Sequence, residues 1–247
     1  SAPTALFGTT TALEMALGLA LLQLAGNGSV DRTMLAKLGQ QCEHDFAGCA
    51  CGIMDQLVSA RGQIGHALLI DCRSLACQPV AMPDDLMVMI VHSGVQRGLV
   101  DGHYNARRQQ CFAAAAHFGV PALRDVSPAQ LAQDGDALDP LTLRRARHVV
   151  SENARVLAAC TALVAGDGCT LGQLMRASHI SMRDDFEITV PAIDQLADIL
   201  QNAVGDAGGA RMTGGGFGGA AVAILPSGQK DAVIEQVLTR HRTPDGQ

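Results

Sequence analysis

The chain of 247 residues is 48% hydrophobic and 17% charged, a composition that can bury a core and that excludes intrinsic disorder. Its 18 basic and 24 acidic residues leave a net charge of −6, which disfavours binding to a phosphate backbone. With one Tyr and no Trp, the chain also lacks the aromatic side chains on which single strands stack. We therefore expect no nucleic-acid partner.

The eight cysteines form no Cys-x-x-Cys pair, and Cys49 with Cys51 alone would make a poor zinc site. We interpret them as reduced and mostly buried thiols. The longest apolar stretch, residues 15–25, contains Gln23 and is too short to span a bilayer. These features predict a soluble cytoplasmic protein without a membrane partner.

The amino-terminal third begins with a pattern typical of helices. An apolar run over 11–24 predicts a buried helix, Asp31 is placed to cap a second helix, and 53–60 predicts a third. The periodicity then changes, and short apolar runs bounded by Gly, Pro and Asp predict strands. These runs are 67–70, 78–82 and 86–91.

The rest of the chain mixes helices and strands. The periodicity predicts helices over 103–118, 141–164, 171–182, 191–204 and 229–241, with a strand over 220–225. The turn at 83–85 indicates a boundary between domains 1–85 and 86–247. Because strands and helices do not alternate strictly, we predict the α+β fold class.

A glycine-rich segment stands out near the carboxyl end. Residues 213–219, Thr-Gly-Gly-Gly-Phe-Gly-Gly, contain five glycines in seven positions. Such a run carries a backbone-entropy penalty, which either a bulged hairpin turn or close approach of a phosphate or sugar would explain. It matches neither the P-loop nor the dinucleotide-binding fingerprint. Taken alone, it is more typical of a hairpin.

Several segments resemble, in the same order, motifs of the galactokinases in the GHMP kinase superfamily. They are EHDFAG (43–48), CGIMDQ (51–56), YNARR (104–108), SMRDDFE (181–187) and GARMTGGGFGG (209–219). The resemblance runs from about Thr11 to about Leu238. It implies a two-domain fold, with a partial amino-terminal domain followed by a ferredoxin-like domain and the active site between them.

The resemblance also implies roles for individual residues. Asp55 would be the catalytic aspartate, Glu43 and Thr10 would bind magnesium, and Tyr104 and Gly52 would contact the sugar. ATP would bind to Thr9, Thr10, Gly214, Gly215, Gly216 and Gly218. Each residue also has a simpler explanation: a first-turn acid for Asp55, a solvated face for Glu43, a helix cap for Thr10 and a surface ring for Tyr104.

The chain departs from the family pattern at both ends. The sugar-binding motif Gly-Glu-His-Thr-Asp is absent, and the family's phosphate loop maps onto residues 2–11, where Thr4 and Leu6 replace its glycines. The closing strand beyond about Arg242 is also missing. The chain thus resembles a galactokinase shortened at both ends, for which we expect exposed apolar surface, self-association and at most trace activity.

The activity implied by the resemblance is ATP-dependent phosphorylation of galactose at its anomeric hydroxyl, with Mg²⁺ as cofactor. Two alternatives remain open at this stage. One is a galactokinase-like ligand sensor without turnover, and the other is an inactive fragment. Separate measurements of binding and turnover distinguish them.

A basic cluster and an acidic pair are assigned no role. The cluster, at the start of one predicted helix, consists of Arg144, Arg145, Arg147 and His148. Cations in this arrangement are typical of a solvated face. Asp184 and Asp185 are adjacent on a predicted helix, so their side chains should point about 100 degrees apart rather than act as a pair.

Overall fold

A computed structural model describes residues 9–26, 29–46, 51–95 and 101–242, without the side chains at positions 9, 10, 101, 103 and 104. The chain divides into two compact units, an amino-terminal unit (Ser1–Met82) and a carboxy-terminal unit (Pro83–Gln247). Both contain helices and small antiparallel sheets, which confirms the α+β prediction.

The amino-terminal unit packs three helices with a hairpin. Its elements are α1 (Thr9–Leu24), α2 (Arg32–Asp45), α3 (Met54–Arg61), β1 (His66–Ile70) and β2 (Cys77–Ala81). Asp31 caps α2 by accepting hydrogen bonds from the N–H groups of Thr33 (2.8 Å) and Met34 (3.2 Å). Buried Met15 and Leu57 belong to the core in which the three helices meet.

The carboxy-terminal unit surrounds a three-stranded antiparallel sheet in the order β3-β5-β4. Its strands are β3 (Leu86–His92), β4 (Gly209–Thr213) and β5 (Ala220–Pro226). Its helices are α4 (Asp101–His117), α5 (Pro128–Asp134), α6 (Pro140–Ala165), α7 (Gly168–Asp184), α8 (Pro191–Val204) and α9 (Lys230–Arg240). Leu196 and Leu200 of α8 pack with the buried face of β5 and with Val233 of α9.

The prediction of a buried helix over 11–24 is wrong, because much of α1 has no covering partner among the described residues. Four leucines of α1 are between 57% and 84% exposed: Leu13, Leu17, Leu21 and Leu24. This agrees with the expected exposed apolar surface. Over the described ranges, no helix is both long enough and apolar enough to cross a membrane.

The prediction of mostly buried thiols is wrong for the cysteines that the structure describes. Cys42, Cys72 and Cys169 are exposed, and the other described cysteines are only partly buried and form no disulfide. Cys42 lies in the last turns of α2, Cys72 follows β1, and Cys169 lies in the first turn of α7. These positions are near the ends of elements, where the chain meets solvent.

Candidate functional site

Two carboxylates come together where α1 packs on α2. Burial raises the pKa of Glu14 above its ordinary value, and the neighbouring carboxylate of Glu43 raises it further. Oε2 of Glu14 is buried and accepts no hydrogen bond from the described residues. An orphaned carboxylate oxygen beside a second carboxylate has the donor chemistry that a hard divalent cation prefers. The residues present therefore fit a magnesium ion.

Glu14 was not among the residues predicted to bind metal. It is nevertheless the one charged residue in the 16 residues of α1, whose sequence is otherwise apolar or uncharged. A single charged residue in an apolar helix rarely lacks a partner, so the sequence alone gives a reason to expect a binding partner for Glu14. Thr9 and Thr10 open α1, and Tyr104 lies on α4; the side chains of these three predicted site residues lie outside the described residues.

Asp55 lies in the first turn of α3, and the segment before it is attached to α2. Gln40 donates from Nε2 to the carbonyl oxygen of Cys51 at 3.1 Å, and Nε2 of His44 lies 2.9 Å from the same oxygen. Glu43, which directly precedes His44, lies near the carboxyl end of α2, and Asp55 lies at the amino end of α3. The two predicted acidic residues therefore belong to the same end of the α2–α3 pair.

The side chain of Asp55 is exposed and has no hydrogen bond or ion pair with the described residues. It lies in the first turn of α3, at the positive end of the helix dipole. Gly52 is also exposed, and a Cβ added to it would meet nothing within 4 Å. Asp55 can therefore accept a proton from a bound hydroxyl group.

The glycine-rich segment is the turn of a hairpin. Strands β4 and β5 are antiparallel and end with Thr213 opposite Ala220, which leaves residues 214–219 as the connection, here called the glycine hairpin. Its backbone is mostly left-handed, and the residues with positive φ are Gly214 (85°), Gly216 (88°), Phe217 (59°), Gly218 (127°) and Gly219 (91°). This conformation favours glycine at four of the five positions, and Phe217 is the one side chain that adopts it.

The glycines of the hairpin differ in their surroundings. Gly216 is buried, and a Cβ there would lie 2.5 Å from the carbonyl oxygen of Ile188. At Gly218 the corresponding distance to the carbonyl oxygen of Val95 is 3.0 Å. Gly214 and Gly215 are exposed, and a Cβ at Gly215 would meet nothing within 4 Å. Gly214 and Gly215 therefore place backbone at the surface, as an anion-binding turn requires, whereas Gly216 and Gly218 permit close packing.

The glycine hairpin is anchored on both sides. Phe217 N–H donates to the carbonyl oxygen of Ile188 at 2.7 Å, and Gly219 N–H donates to that of Val95 at 3.1 Å. The hydroxyl of Ser93 donates to the Gly219 carbonyl at 2.8 Å. These bonds hold the hairpin in one conformation before any ligand arrives.

The basic cluster is not the predicted solvated face. Arg145 is 1% exposed and His148 is 8% exposed, so the interpretation is wrong for these two residues, although Arg144 and Arg147 remain in contact with solvent. Burial lowers the pKa of His148 from 6.5 to about 4, and the neutral ring stacks on Phe186 with the centroids 4.4 Å apart. The side chains of Arg145 and His148 both pack toward the connection between α7 and α8.

Comparison with known proteins places this chain in one family. Residues 7–63 match the family described as the GHMP kinases N terminal domain, and residues 159–242 match the family described as GHMP kinases C terminal. The chain therefore belongs to the GHMP kinases, which are phosphotransferases, and the resemblance seen in the sequence is confirmed.

Solved structures show the same relationship. The chain is similar to the galactokinase of Lactococcus lactis complexed with galactose, at 34% identity and a TM-score of 0.85 over 97% of this chain and 63% of that protein. It is also similar to the mevalonate kinase of L. major in complex with R-mevalonate, at 19% identity and a TM-score of 0.65 over 99% of this chain and 64% of that one. The second similarity concerns the fold alone. The chain thus spans less than two thirds of either protein.

Proposed function

We propose that the chain carries the catalytic parts of a galactokinase-type sugar kinase, which transfers the γ-phosphoryl group of ATP to the anomeric hydroxyl of galactose. The observation that supports this choice of substrate is the 34% identity to a galactokinase over 97% of the chain, against 19% for a mevalonate kinase. The GHMP fold alone would not distinguish the two acceptors, because one fold serves many substrates.

Asp55 is proposed as the proton acceptor. In the transfer, the anomeric oxygen forms a bond to the γ-phosphorus while the bond between that phosphorus and the bridging oxygen of ADP breaks. The hydroxyl proton passes to the carboxylate of Asp55, which is exposed and makes no hydrogen bond with the described residues. Gly52 and Tyr104 are proposed to contact the sugar.

Glu43 and Thr10 are proposed to hold magnesium, and Glu14 joins them because its orphaned oxygen lies beside Glu43. When bound, the ion neutralises charge on the transferred phosphoryl group. A cation held by Glu14 and Glu43 would offset the repulsion between their carboxylates.

The triphosphate is proposed to bind the glycine hairpin. Gly214 and Gly215 would donate their backbone N–H groups to phosphate oxygens, and Gly216 and Gly218 would allow the hairpin to fold closely enough for this. Thr9 and Thr10, at the amino-terminal end of α1, would add donors at a helix start.

The test is a transfer assay with labelled ATP, Mg²⁺ and separate acceptors: galactose, N-acetylgalactosamine, homoserine and mevalonate. We expect label in galactose phosphate above the level given by Asp55→Asn, whose folding should be unaffected because Asp55 is exposed. Transfer to another acceptor but not to galactose would refute the substrate assignment. Binding of ATP and galactose without product would favour a ligand sensor, and binding of neither would refute the proposal.

A further inference from the structure

The loop that connects α7 to α8 is held by two arginines through its backbone. Arg145 donates from Nη1 to the carbonyl oxygen of Asp185. Arg107 donates from Nε to that of Phe186 at 2.6 Å, and from Nη2 to that of Glu187 at 2.9 Å. Three successive carbonyl groups therefore accept hydrogen bonds from two guanidinium groups, and this fixes the path of the chain through residues 185–187.

The charged guanidinium group of Arg145 is shielded from solvent. Its side chain is 1% exposed, and its remaining donors are directed at Oε2 of Glu187 (2.6 Å) and at Oε1 of Gln110 on α4 (2.9 Å). Burial, followed by the neighbouring Arg145, lowers the pKa of Arg107 below its ordinary value. Placing two cations side by side in a partly buried site is unfavourable, so the carbonyl groups and Glu187 must offset it.

The loop continues directly into the anchor of the glycine hairpin. Ile188 follows Glu187, and its carbonyl oxygen accepts the N–H of Phe217 at 2.7 Å. Gly216 packs so closely on Ile188 that a Cβ would lie 2.8 Å from the Cβ of Ile188. Glu187 itself has a positive φ of 53°, a conformation that a non-glycine residue keeps only when its surroundings impose it.

We propose that Arg145 is a positioning residue for the glycine hairpin. It holds the loop at the carbonyl of Asp185 and at the carboxylate of Glu187, beside the two carbonyl groups held by Arg107. The fixed loop places the carbonyl of Ile188, and Ile188 holds the hairpin in the form that leaves Gly214 and Gly215 exposed. The nucleotide part of this inference rests on the proposed function, whereas the mechanical part concerns the hairpin itself. Nothing in the position of Arg145 on the sequence predicts it, because its partner Asp185 is 40 residues away.

The test compares Arg145→Lys with Arg155→Lys. Lysine keeps the charge but lacks the planar fork that reaches three acceptors at once. Arg155 is a matched control because it also lies on α6, is 17% exposed and, among the described residues, bonds only to Glu152 and Ser151 of its own helix. Gln110→Ala is a milder variant that removes one partner of Arg145 and leaves Arg145 itself in place, should Arg145→Lys fail to fold.

The measurements are amide hydrogen exchange over residues 214–219 and over β5, and the affinity for MgATP. In Arg145→Lys we expect exchange in the glycine hairpin to accelerate about tenfold more than exchange in β5, as loss of one charge-assisted bond would cause, with a similar loss of ATP affinity. Gln110→Ala should shift both in the same direction by less. Arg155→Lys should change the hairpin no more than β5.

Equal acceleration of hairpin exchange in Arg145→Lys and Arg155→Lys, or none in Arg145→Lys and Gln110→Ala, would overturn the inference. If the unmodified chain does not bind MgATP, the proposed function fails while the exchange comparison still decides the role of Arg145. If the hairpin loosens but ATP affinity is unchanged, the positioning role of Arg145 is confirmed and the nucleotide part of the inference is refuted.

Discussion

Arg145 and Glu187 form an ion pair in which only one partner is buried: Nη2 lies 2.6 Å from Oε2, with the arginine side chain 1% and the glutamate side chain 41% exposed. Arg144 approaches the other carboxylate oxygen at 2.9 Å, and Arg107 lies 3.9 Å from Oε2. Hydrogen bonding to Arg145 lowers the pKa of Glu187 below its ordinary value. The carboxylate of Glu187 therefore compensates the charge of three arginines. Arg145 depends on it most, because its side chain is buried.

Replacing Glu187 with Gln should destabilise the carboxy-terminal unit by about 2 kcal/mol, because a buried guanidinium loses its charged acceptor while the amide keeps the shape. The measurement is the free energy of unfolding in urea. Asp184→Asn is the control, since Asp184 pairs with Arg183 at 2.7 Å on an exposed surface and should contribute at most about 0.5 kcal/mol. Equal losses in the two variants would show that the burial of Arg145 does not matter.

The glycine hairpin offers a matched pair of substitutions. Gly216→Ala would place a Cβ 2.5 Å from a backbone carbonyl at a φ of 88°, so it should destabilise the fold by about 2–3 kcal/mol. Gly215→Ala meets open space and should change stability by less than about 0.5 kcal/mol. Its added methyl group should nevertheless weaken MgATP binding, measured by calorimetry. Equal effects on stability would contradict the assignment of separate roles to the two glycines.

His148 should make the protein sensitive to acid. Burial lowers the pKa of His148 in the folded chain from 6.5 to about 4. Between these two pH values the ring is protonated in the unfolded chain and neutral in the folded chain. Stability should fall as pH decreases from 6.5 to 4, by up to about 3 kcal/mol from this residue. Glu152 and Asp185 favour the charged ring, whereas burial, Arg155 and Arg211 oppose it.

The measurement for His148 is the urea midpoint as a function of pH. His148→Gln should have a lower midpoint at pH 7, because the stacking on Phe186 is lost, but a shallower decline over the acid range. His66→Gln is the control, since His66 is exposed and should leave the decline unchanged. A decline as steep in His148→Gln as in the unmodified chain would assign the acid sensitivity to the carboxylates alone.

Much of the fold could be predicted from local sequence, because caps and breakers act within a few residues. Asp31 before α2 and Pro191 in the first turn of α8 both mark helix starts that the structure contains. The pairing of Glu14 with Glu43 and the burial of Arg145 depend instead on contacts between elements distant in sequence. The sequence pattern of a basic residue in a helix is the same whether the side chain faces water or, as in Arg145, a buried set of one carbonyl, one carboxylate and one amide oxygen.

The carboxylates of Glu14 and Glu43 should couple stability to divalent cations. The pKa of Glu14 is raised in the folded chain, so the protonated carboxyl stabilises the fold at acid pH. This stabilisation is lost as the pH rises through the folded pKa, and near neutral pH the ionised pair destabilises the fold. Mg²⁺ should therefore raise the melting temperature at pH 7.5, and EDTA should reverse the increase.

Glu14→Gln should melt at a higher temperature than the unmodified chain in EDTA, because the repulsion between the two carboxylates is gone, and its melting temperature should rise less on addition of Mg²⁺. Glu235→Gln, which removes an exposed carboxylate from α9, should behave like the unmodified chain in both conditions. A Glu14→Gln variant that keeps the full response to Mg²⁺ would remove Glu14 from the proposed metal site and leave Glu43 and Thr10 to hold the ion.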